Sequence, residues 1–422
     1  MGTTQTSEAI VWEEGETRFN LDQHNFTDYQ DSNINRLVAS QVEEMSKYVV
    51  ERVKDMSSLF LLGGYARGEG SVLVSHDGLV PLGDYDFLAI TNHPHLSVSF
   101  PDLESMRRKF HVQYHIEVGN NWKRLLPLVD PQIYWYEAKF GSKHLCGETN
   151  TLASVPISGA QDIDMDEGFR LMFNRLIGML SVFDPRFLDQ EPLEEQKEHL
   201  IFQSVKGILS CGESLLLLNG AYNYSYKKRW HRLSGCFEKS FPELVELNPS
   251  LKADFEKASL FKLRPSYRMY NDSVELWLSA KNHVLQTLSF FLTKLLKIPS
   301  EKNLRVEPLT SFCRNFLVNR RPELLDYVTF NWHAITGTRN WRGISNVRHA
   351  FSDLVRLASY YLAMSISEKG EIDPKMLDKS LKIIESIHEA PFRINTEGMT
   401  NARKGWKIVE NIIVSTWQNS RH

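Results

Sequence analysis

Hydrophobic and polar positions follow two different periods along the first 150 residues. From residue 33 to residue 56, apolar residues recur at steps of three and four, which predicts an amphipathic α-helix. Residues 59–62 form a short apolar run that stops at a pair of glycines, a pattern typical of a buried strand. Asp77-Gly78 separates two further short runs and predicts a hairpin turn. This part of the chain is therefore expected to contain both helix and sheet.

Three later runs extend the predicted sheet. Residues 85–90, 110–118 and 133–140 are each predicted to form a strand, and every second residue along 110–118 is polar. Because successive side chains of a strand point to opposite faces, His115 and Glu117 are expected to share one face.

After about residue 160 the period is helical for the rest of the chain. A mixed first half and a helical second half predict an α+β protein with a polar N-terminal arm (1–32), an α/β domain (33–160) and an all-α domain (161–422). Helices are predicted near residues 169–180, 205–216, 272–296, 322–335, 346–367, 374–389 and 401–417.

Charge is distributed unevenly between the two predicted domains. Residues 1–160 contain 21 acidic and 13 basic residues, whereas residues 161–422 contain 31 acidic and 36 basic ones. The net charge of the whole chain is −3, which excludes a uniformly basic nucleic-acid binder. An acidic half joined to a mildly basic half is compatible with a site for metal and an anionic ligand, and also with an ordinary solvated surface.

The composition, with 42% apolar and 24% charged residues, is that of an ordinary globular protein. No stretch of 18 uncharged apolar residues occurs and the N-terminus is polar, so neither a membrane span nor a signal peptide is expected. Four cysteines without CxxC spacing predict reduced thiols in a cytoplasmic protein, with no zinc cluster. They are Cys146, Cys211, Cys236 and Cys313.

Two motifs carry the candidate chemistry. The first is the turn at Gly63-Gly64, where a backbone without side chains can approach a phosphate closely and offer it N–H groups. The second is the pair Asp84 and Asp86, whose carboxylates share one face of a strand and repel each other unless a cation lies between them. Mg²⁺ (or Mn²⁺) suits such oxygen ligands and takes one or two carboxylates together with substrate phosphates. The two motifs predict metal-assisted phosphoryl or nucleotidyl transfer.

These motifs resemble the signature of the polymerase-β-like nucleotidyltransferase superfamily, which is a hydrophobic residue, Gly, Gly or Ser, a spacer, and then Asp-hydrophobic-Asp-hydrophobic. The run Gly-Gly-Tyr-x-Arg-Gly-Glu looks most like the nucleotidyltransferase domain of PII uridylyltransferase-like proteins. The resemblance covers roughly residues 35–150 and implies a mixed sheet with helices. The matching residues are Leu62-Gly63-Gly64 and Asp84-Tyr85-Asp86-Phe87.

The spacer between Gly64 and Asp84 has 19 residues, more than is usual in the family. An inserted hairpin accounts for the excess. A rival register that starts at Gly70-Ser71 leaves 12 residues before Asp84. The preferred register places Gly64 where the family often has Ser, and Ser71 is then the candidate for the missing hydroxyl.

The resemblance also implies a third carboxylate on a later strand, for which Glu117 is the candidate, with His115 as an alternative proton acceptor. Arg67 is a candidate phosphate ligand and alternatively a partner of Glu69. In the helical domain the resemblance implies a lysine that reaches the triphosphate and aromatic residues that stack on the base. The candidates for these roles are Lys206, Tyr222 and Tyr226.

The sequence therefore predicts an enzyme that transfers NMP from an NTP to an acceptor hydroxyl and releases pyrophosphate. The acceptor is left open between a small molecule, a protein side chain, another nucleotide and RNA. The lack of a dense basic stripe counts against long nucleic acid, so a small molecule or a protein is favoured. The alternative is a degenerate nucleotidyltransferase fold that binds nucleotide or a partner protein without catalysis, because Gly64 and Glu117 depart from the usual pattern.

Overall fold

The computed structural model describes residues 19, 21, 25–75, 78–94, 99–295, 347–388 and 399–420. The first 18 residues of the predicted arm, the helix predicted near 322–335 and Cys313 lie outside these ranges. Within them the protein is α+β, with a small mixed sheet and a predominance of helix. The chain divides into two compact units, Met1–Ile157 (unit 1) and Ser158–His422 (unit 2).

Unit 1 contains a four-stranded sheet, a two-stranded sheet and four α-helices among its described residues. Its elements are α1 (Ser32–Arg52), β1 (Met56–Leu61), α2 (Gly63–Ala66), β2 (Val72–Ser75), β3 (Gly78–Pro81), β4 (Tyr85–Thr91), α3 (Leu103–Lys109), β5 (Ile116–Trp122), α4 (Ile133–Gly141) and β6 (Lys143–Gly147). The larger sheet has the order β5-β4-β1-β6. β4 runs antiparallel to β1 and parallel to β5, so the end of β1 and the starts of β4 and β5 meet at one edge.

The helix predicted from residue 33 is confirmed as α1. The Asp31 side chain caps it by accepting a hydrogen bond of 2.7 Å from the backbone N–H of Asn33. The apolar stripe of the helix lies in the core of unit 1, together with β1, whose six residues are all buried. The buried apolar residues of α1 are Ile34, Val38, Val42, Met45 and Val49.

The two paired strands of the predicted hairpin are also confirmed, whereas Asp77 of its turn lies outside the described residues. β2 and β3 pair antiparallel, with Ser75 opposite Gly78. At the base of the hairpin, the backbone N–H groups of Leu82 and Gly83 donate to the carbonyl of Ser71 at 2.9 and 3.2 Å. The chain therefore leaves and returns at the same point, and the long spacer before Asp84 is taken up by the hairpin.

Two predicted strands are wrong, one in type and one in extent. Residues 133–140 belong to helix α4, although their aromatic side chains favour a strand. In the helix, Trp135, Ala138 and neighbouring residues are buried on one side, and this packing outweighs the local preference. β5 begins only at Ile116, because the chain turns at His111 with φ +53° before it enters the sheet.

Unit 2 is helical throughout its described residues. Its α-helices are α5 (Asp166–Ser181), α6 (Glu194–Leu218), α7 (Tyr226–Ser240), α8 (Pro242–Leu247), α9 (Leu251–Leu263), α10 (Ser273–Leu295), α11 (Val347–Met364), α12 (Pro374–His388) and α13 (Met399–Ser420). They confirm the helices predicted from periodicity within these ranges. α6 is long and apolar enough to cross a membrane, with a mean hydropathy of 1.3 over an 18-residue window, but 89% of that window is buried inside the protein. This burial is typical of a central core helix.

Three cysteines lie in the described residues, and all three are free thiols. Cys146 and Cys211 are buried, and burial raises the pKa of the Cys146 thiol to about 11. A thiol with a raised pKa stays protonated at neutral pH and reacts slowly.

Candidate functional site

The candidate site lies at the end of β1, where the chain turns through Gly63 beside the start of β4. The backbone N–H of Leu62 donates to the carbonyl of Asp86 at 2.7 Å. This hydrogen bond holds the glycine turn next to Asp86. Gly63 has φ +70°, and a Cβ at this position would lie 2.9 Å from Oδ2 of Asp86. Glycine is the residue that brings the backbone of the turn this close to the carboxylate without strain.

Asp86 and Glu117 are neighbours across two parallel strands. They are register partners in the β4–β5 pair, whose backbones are about 4.8 Å apart, and such partners share a face of the sheet. Asp84 directly precedes β4. The pKa of the Tyr65 phenol is raised mainly by burial, and the negative charge of Asp84 raises it further. Asp84 and Asp86 are half-buried, whereas Glu117 is exposed. His115, the alternative proton acceptor, is exposed and lies one residue before β5.

The chemistry of this donor set suits a hard divalent cation, although the side chains do not form a closed cage. In the parts of the chain that the structure describes, no group of three or more His, Cys, Asp or Glu side chains is arranged to hold a metal ion. Mg²⁺ usually keeps water and substrate phosphates among its ligands and needs only one or two carboxylates from the protein. Asp86 and Glu117 meet this requirement as a pair, and Asp84 precedes Asp86 by two residues in the chain.

Gly64 stands where the signature that the chain resembles often has serine, and the structure supplies a reason. A Cβ at Gly64 would lie 2.9 Å from the carbonyl oxygen of Glu69. The same turn is closed by the backbone N–H of Glu69, which donates to the carbonyl of Gly64 at 2.9 Å. A serine would therefore require the backbone at Glu69 to move.

Arg67 does not face solvent. Its side chain is only 3% exposed, and Nη1 lies 3.2 Å from Oε2 of Glu137 on α4. Its Nε lies 3.8 Å from Oε2 of Glu69, whose side chain is also 3% exposed. The structure thus favours the ion-pair alternative over direct phosphate binding, because two carboxylates already neutralise the guanidinium.

Ser71 and Gly70, the rival register, belong to the packing around Tyr65. Ser71 is buried, and its carbonyl accepts the hydroxyl hydrogen of Tyr65 at 2.8 Å. A Cβ on Gly70 would lie 2.0 Å from Cδ1 of Tyr65, so this glycine makes room for the ring. Tyr65 in turn stacks on Tyr85 at a centroid distance of 4.4 Å. Of the two registers, Gly63-Gly64 is the one with a member that lies against the carboxylate of Asp86.

Tyr134 is a residue of the site that the sequence did not reveal. Tyr134 as a whole is 42% exposed. Its hydroxyl end points to β5, where it lies 3.5 Å from the position that a Cβ of Gly119 would take, two residues beyond Glu117. Burial raises the pKa of the Tyr134 phenol above its usual range, and the negative charges of Asp86 and Glu117 raise it further. Because the local pattern of residues 133–140 predicts a strand, it does not place this hydroxyl beside the carboxylates.

The candidates in unit 2 have different surroundings. Tyr222 is 1% exposed, and the guanidinium carbon of Arg229 lies 4.5 Å from its ring centroid. A buried ring covered by a cation is not accessible for stacking on a base, so this assignment is corrected to a packing role. Tyr226 is half-buried, and Arg229 lies 4.4 Å from its ring as well. Lys206 lies on α6 with Nζ 4.4 Å from the ring centroid of Phe202.

Comparison with protein-family models and with curated proteins finds no match to this chain. A functional assignment therefore depends on the motifs and on the geometry of unit 1. In that geometry, one edge of a mixed sheet holds a glycine turn, two half-buried aspartates, an exposed glutamate and a phenol.

Proposed function

We propose that the protein is a metal-dependent nucleotidyltransferase with a polymerase-β-like α/β domain. It transfers NMP from an NTP to an acceptor hydroxyl and releases pyrophosphate. The observation that carries the proposal is the contact between Gly63 and the carboxylate of Asp86, because it puts a turn of the phosphate-binding type against a potential metal ligand. Glu117, in register with Asp86, adds a second carboxylate at the same edge.

Each residue has a distinct role in this proposal. The backbone of Gly63 and Gly64 binds the terminal phosphates of the NTP. Asp84 and Asp86 would hold Mg²⁺ or Mn²⁺, and Glu117 would help to hold a second cation. When bound, the cations neutralise charge that develops on the phosphate oxygens.

The transfer step balances without a further reactant. The acceptor oxygen attacks the α-phosphorus in line, a new O–P bond forms, and the bond from the α-phosphorus to the bridging oxygen of the β-phosphate breaks. The electron pair leaves with pyrophosphate. Glu117 accepts the proton of the acceptor hydroxyl, and its exposure lets that proton pass on to water.

The acceptor that best suits this site is the hydroxyl of a small molecule or of a protein side chain. The net charge of −3 and the acidic first half do not favour a long polyanion such as RNA. We place this reaction in the cytoplasm, without a membrane partner.

A second candidate function is nucleotide binding without transfer, as in a regulatory protein. Two observations favour it. Gly64 offers no hydroxyl and has no room for one, and Arg67 is already neutralised by Glu69 and Glu137. Both reduce the number of groups that could stabilise a transition state.

Calorimetric titration of ATP, GTP, CTP and UTP with Mg²⁺ tests the first step of both functions. Wild-type protein is compared with the Asp84→Asn, Asp86→Asn double variant. Asp55→Asn, an exposed site in the same unit, is the matched control. We expect one nucleotide to bind the wild type and the control variant with equal affinity. Its affinity for the double variant should be at least about tenfold lower. Equal binding by all three proteins would exclude Asp84 and Asp86 as the metal site.

Glu117→Gln separates the enzyme from the binding protein. Incubation with α-labelled nucleotide and a fractionated cell extract reports transfer to small molecules or to protein. If the protein is an enzyme, wild type transfers label, and Glu117→Gln binds nucleotide but transfers it about 10²–10⁴-fold more slowly. Nucleotide binding without any transfer by wild type would favour the regulatory function.

A further inference from the structure

Helices α7 and α9 of unit 2 pack antiparallel, which brings two basic segments together. Near the end of α9, Nζ of Lys262 lies 5.4 Å from the ring centroid of Tyr226, the first residue of α7. At the other end of the pair, Lys252 bonds to Glu238 at 2.6 Å. The first two turns of α7 therefore lie beside the last two turns of α9.

The chain that follows α9 folds back on the same end. The ring of Tyr267 lies 5.7 Å from that of Phe261 on α9, and Nζ of Lys257 lies 4.3 Å from the ring centroid of Tyr270. Arg268 lies between these two tyrosines in the chain, so it belongs to the same end of the helix pair.

Positive charge predominates at this end. Residues 226–232 and 257–268 contain eight Lys and Arg residues and no Asp or Glu. Arg229 is buried and pairs with Glu213, and Arg232 donates to the carbonyl of Ala221 at 3.0 Å. Five of the others are exposed, and we call them the α7–α9 basic surface: Lys227, Lys228, Lys257, Arg264 and Arg268.

Acidic residues also lie near this end: Glu256 directly precedes Lys257 and is half-buried, and two others are engaged with other groups. Asp254, one turn before Lys257 on α9, bonds to His283 at 2.9 Å. Glu213 lies beneath Arg229 and is buried with it. The exposed lysines and arginines at this end outnumber these carboxylates, so the surface is net positive.

Two tyrosines at this end are poorly suited as a platform for bases, because a cation lies over each ring. Tyr226 has Arg229 at 4.4 Å and Lys262 at 5.4 Å from its centroid, and Tyr270 has Lys257 at 4.3 Å. Single-stranded nucleic acid binds most often through open aromatic faces on which bases stack. The two turns of α7 are also only about 10 Å long, the length of three extended residues.

We propose that the α7–α9 basic surface binds a short acidic segment of a partner protein, in which Glu and Asp carboxylates pair with the exposed lysines and arginines. This surface belongs to unit 2 and does not depend on nucleotidyl transfer. An acidic segment supplies carboxylates without bases, which matches the charge and the covered rings.

Fluorescence anisotropy with a labelled octaglutamate tests the proposal on the full-length protein. The test variant carries Lys227→Glu, Lys228→Glu and Lys257→Glu. The control carries Lys239→Glu, Lys252→Glu and Lys294→Glu, the same change in charge at partly or fully exposed lysines of α7, α9 and α10 outside this end. Circular dichroism checks that both variants retain their helices.

We expect the wild type and the control variant to bind octaglutamate with similar affinity, and this affinity should fall as the salt concentration rises. The affinity of the test variant should be lower by about tenfold or more. Equal affinity of test variant and wild type would overturn the proposal. So would equal losses in both variants, because the effect would then reflect net charge. Tighter binding of an octauridylate than of octaglutamate at the same salt concentration would reassign the surface to nucleic acid.

Discussion

Gly63 and Gly64 differ in what their missing side chains make room for. At Gly63 the space is taken by the carboxylate of Asp86, and at Gly64 by the carbonyl of Glu69. The first contact belongs to the proposed chemistry and the second to the shape of the turn. A substitution at either position therefore tests a different property.

Gly63→Ala should weaken both stability and nucleotide binding. Alanine at φ +70° costs about 1–2 kcal/mol of unfolding free energy, and its methyl group would also push Asp86 away. Gly220 is the matched control, because it has φ +63° but no atom within 4 Å of the position that a methyl group would take. We expect Gly220→Ala to show the backbone cost alone in urea unfolding and to bind nucleotide normally. If the two variants bind nucleotide alike, the contact with Asp86 has no role in binding.

Tyr134 reports on the two carboxylates without any assay of activity. Because the negative charges of Asp86 and Glu117 contribute to its raised pKa, Asp86→Asn and Glu117→Gln should each lower the pKa of the Tyr134 phenol. It should remain above the usual value, since burial is the larger cause. NMR of ring-labelled tyrosine over a pH titration measures this, with Tyr134→Phe to assign the signal. An unchanged titration in both variants would show that the hydroxyl is not beside the carboxylates.

Arg67 links the glycine turn of α2 to helix α4 through its ion pair with Glu137. Arg67→Met would leave Glu69 and Glu137 without their counter-charge in a largely buried site, which we expect to cost about 3–5 kcal/mol of unfolding free energy. Arg52→Met, which breaks an exposed pair with Asp102, should cost less than about 1 kcal/mol. Urea unfolding at pH 7 measures both. Equal losses in the two variants would contradict a structural role of the buried ion pairs.

Lys281 links two helices of unit 2 at a cost in stability. It is 1% exposed on α10 and donates to the carbonyl of Ile366, just after α11. Burial lowers its pKa to about 8, against 10.5 for an exposed lysine, and Glu368 opposes this in part. Between these values the unfolded chain holds a proton that the folded protein lacks, so the stability of unit 2 should rise as pH increases from 8 to 10.5.

Lys281→Met should abolish that rise, whereas Lys294→Met on the same helix, where the lysine is exposed, should retain it. Chemical unfolding followed at several pH values between about 7 and 11 gives the comparison. A wild-type stability that falls across this window would contradict the predicted burial effect.

The sequence predicts many elements of this fold, but it does not predict α3, α7, α8, α9 or β6, and it assigns α4 wrongly as a strand. α1 and the β2–β3 hairpin follow from periodicity and from Asp77-Gly78 because those signals are local. α4 does not follow from the sequence, because Tyr134 and its aromatic neighbours favour a strand locally, while their burial in the fold favours a helix. The ion pair of Arg67 with Glu137 spans 70 residues, so no local pattern could separate it from a phosphate ligand.

At the scale of the whole molecule, the two proposed activities belong to different units. Nucleotide binding is assigned to residues of unit 1, and acidic-segment binding to residues of unit 2. We expect the Asp84→Asn, Asp86→Asn variant to lose nucleotide binding and keep octaglutamate binding, and the Lys227, Lys228 and Lys257 charge reversals to do the opposite. Titrating each ligand into each variant measures this. If one variant loses both activities, the two sites are energetically coupled.

The closed base of the β2–β3 hairpin has a practical consequence. The carbonyl of Ser71 accepts hydrogen bonds from the backbone N–H groups of both Leu82 and Gly83. The position at which the chain enters Asp84 is therefore fixed by the base of the hairpin and not by its tip. We expect that the tip of the hairpin can be changed in length while the aspartates keep their places, as long as Val72, which is buried in the core, is retained. An epitope tag or a fluorophore inserted at the tip would allow the protein to be detected or labelled without changing the candidate site.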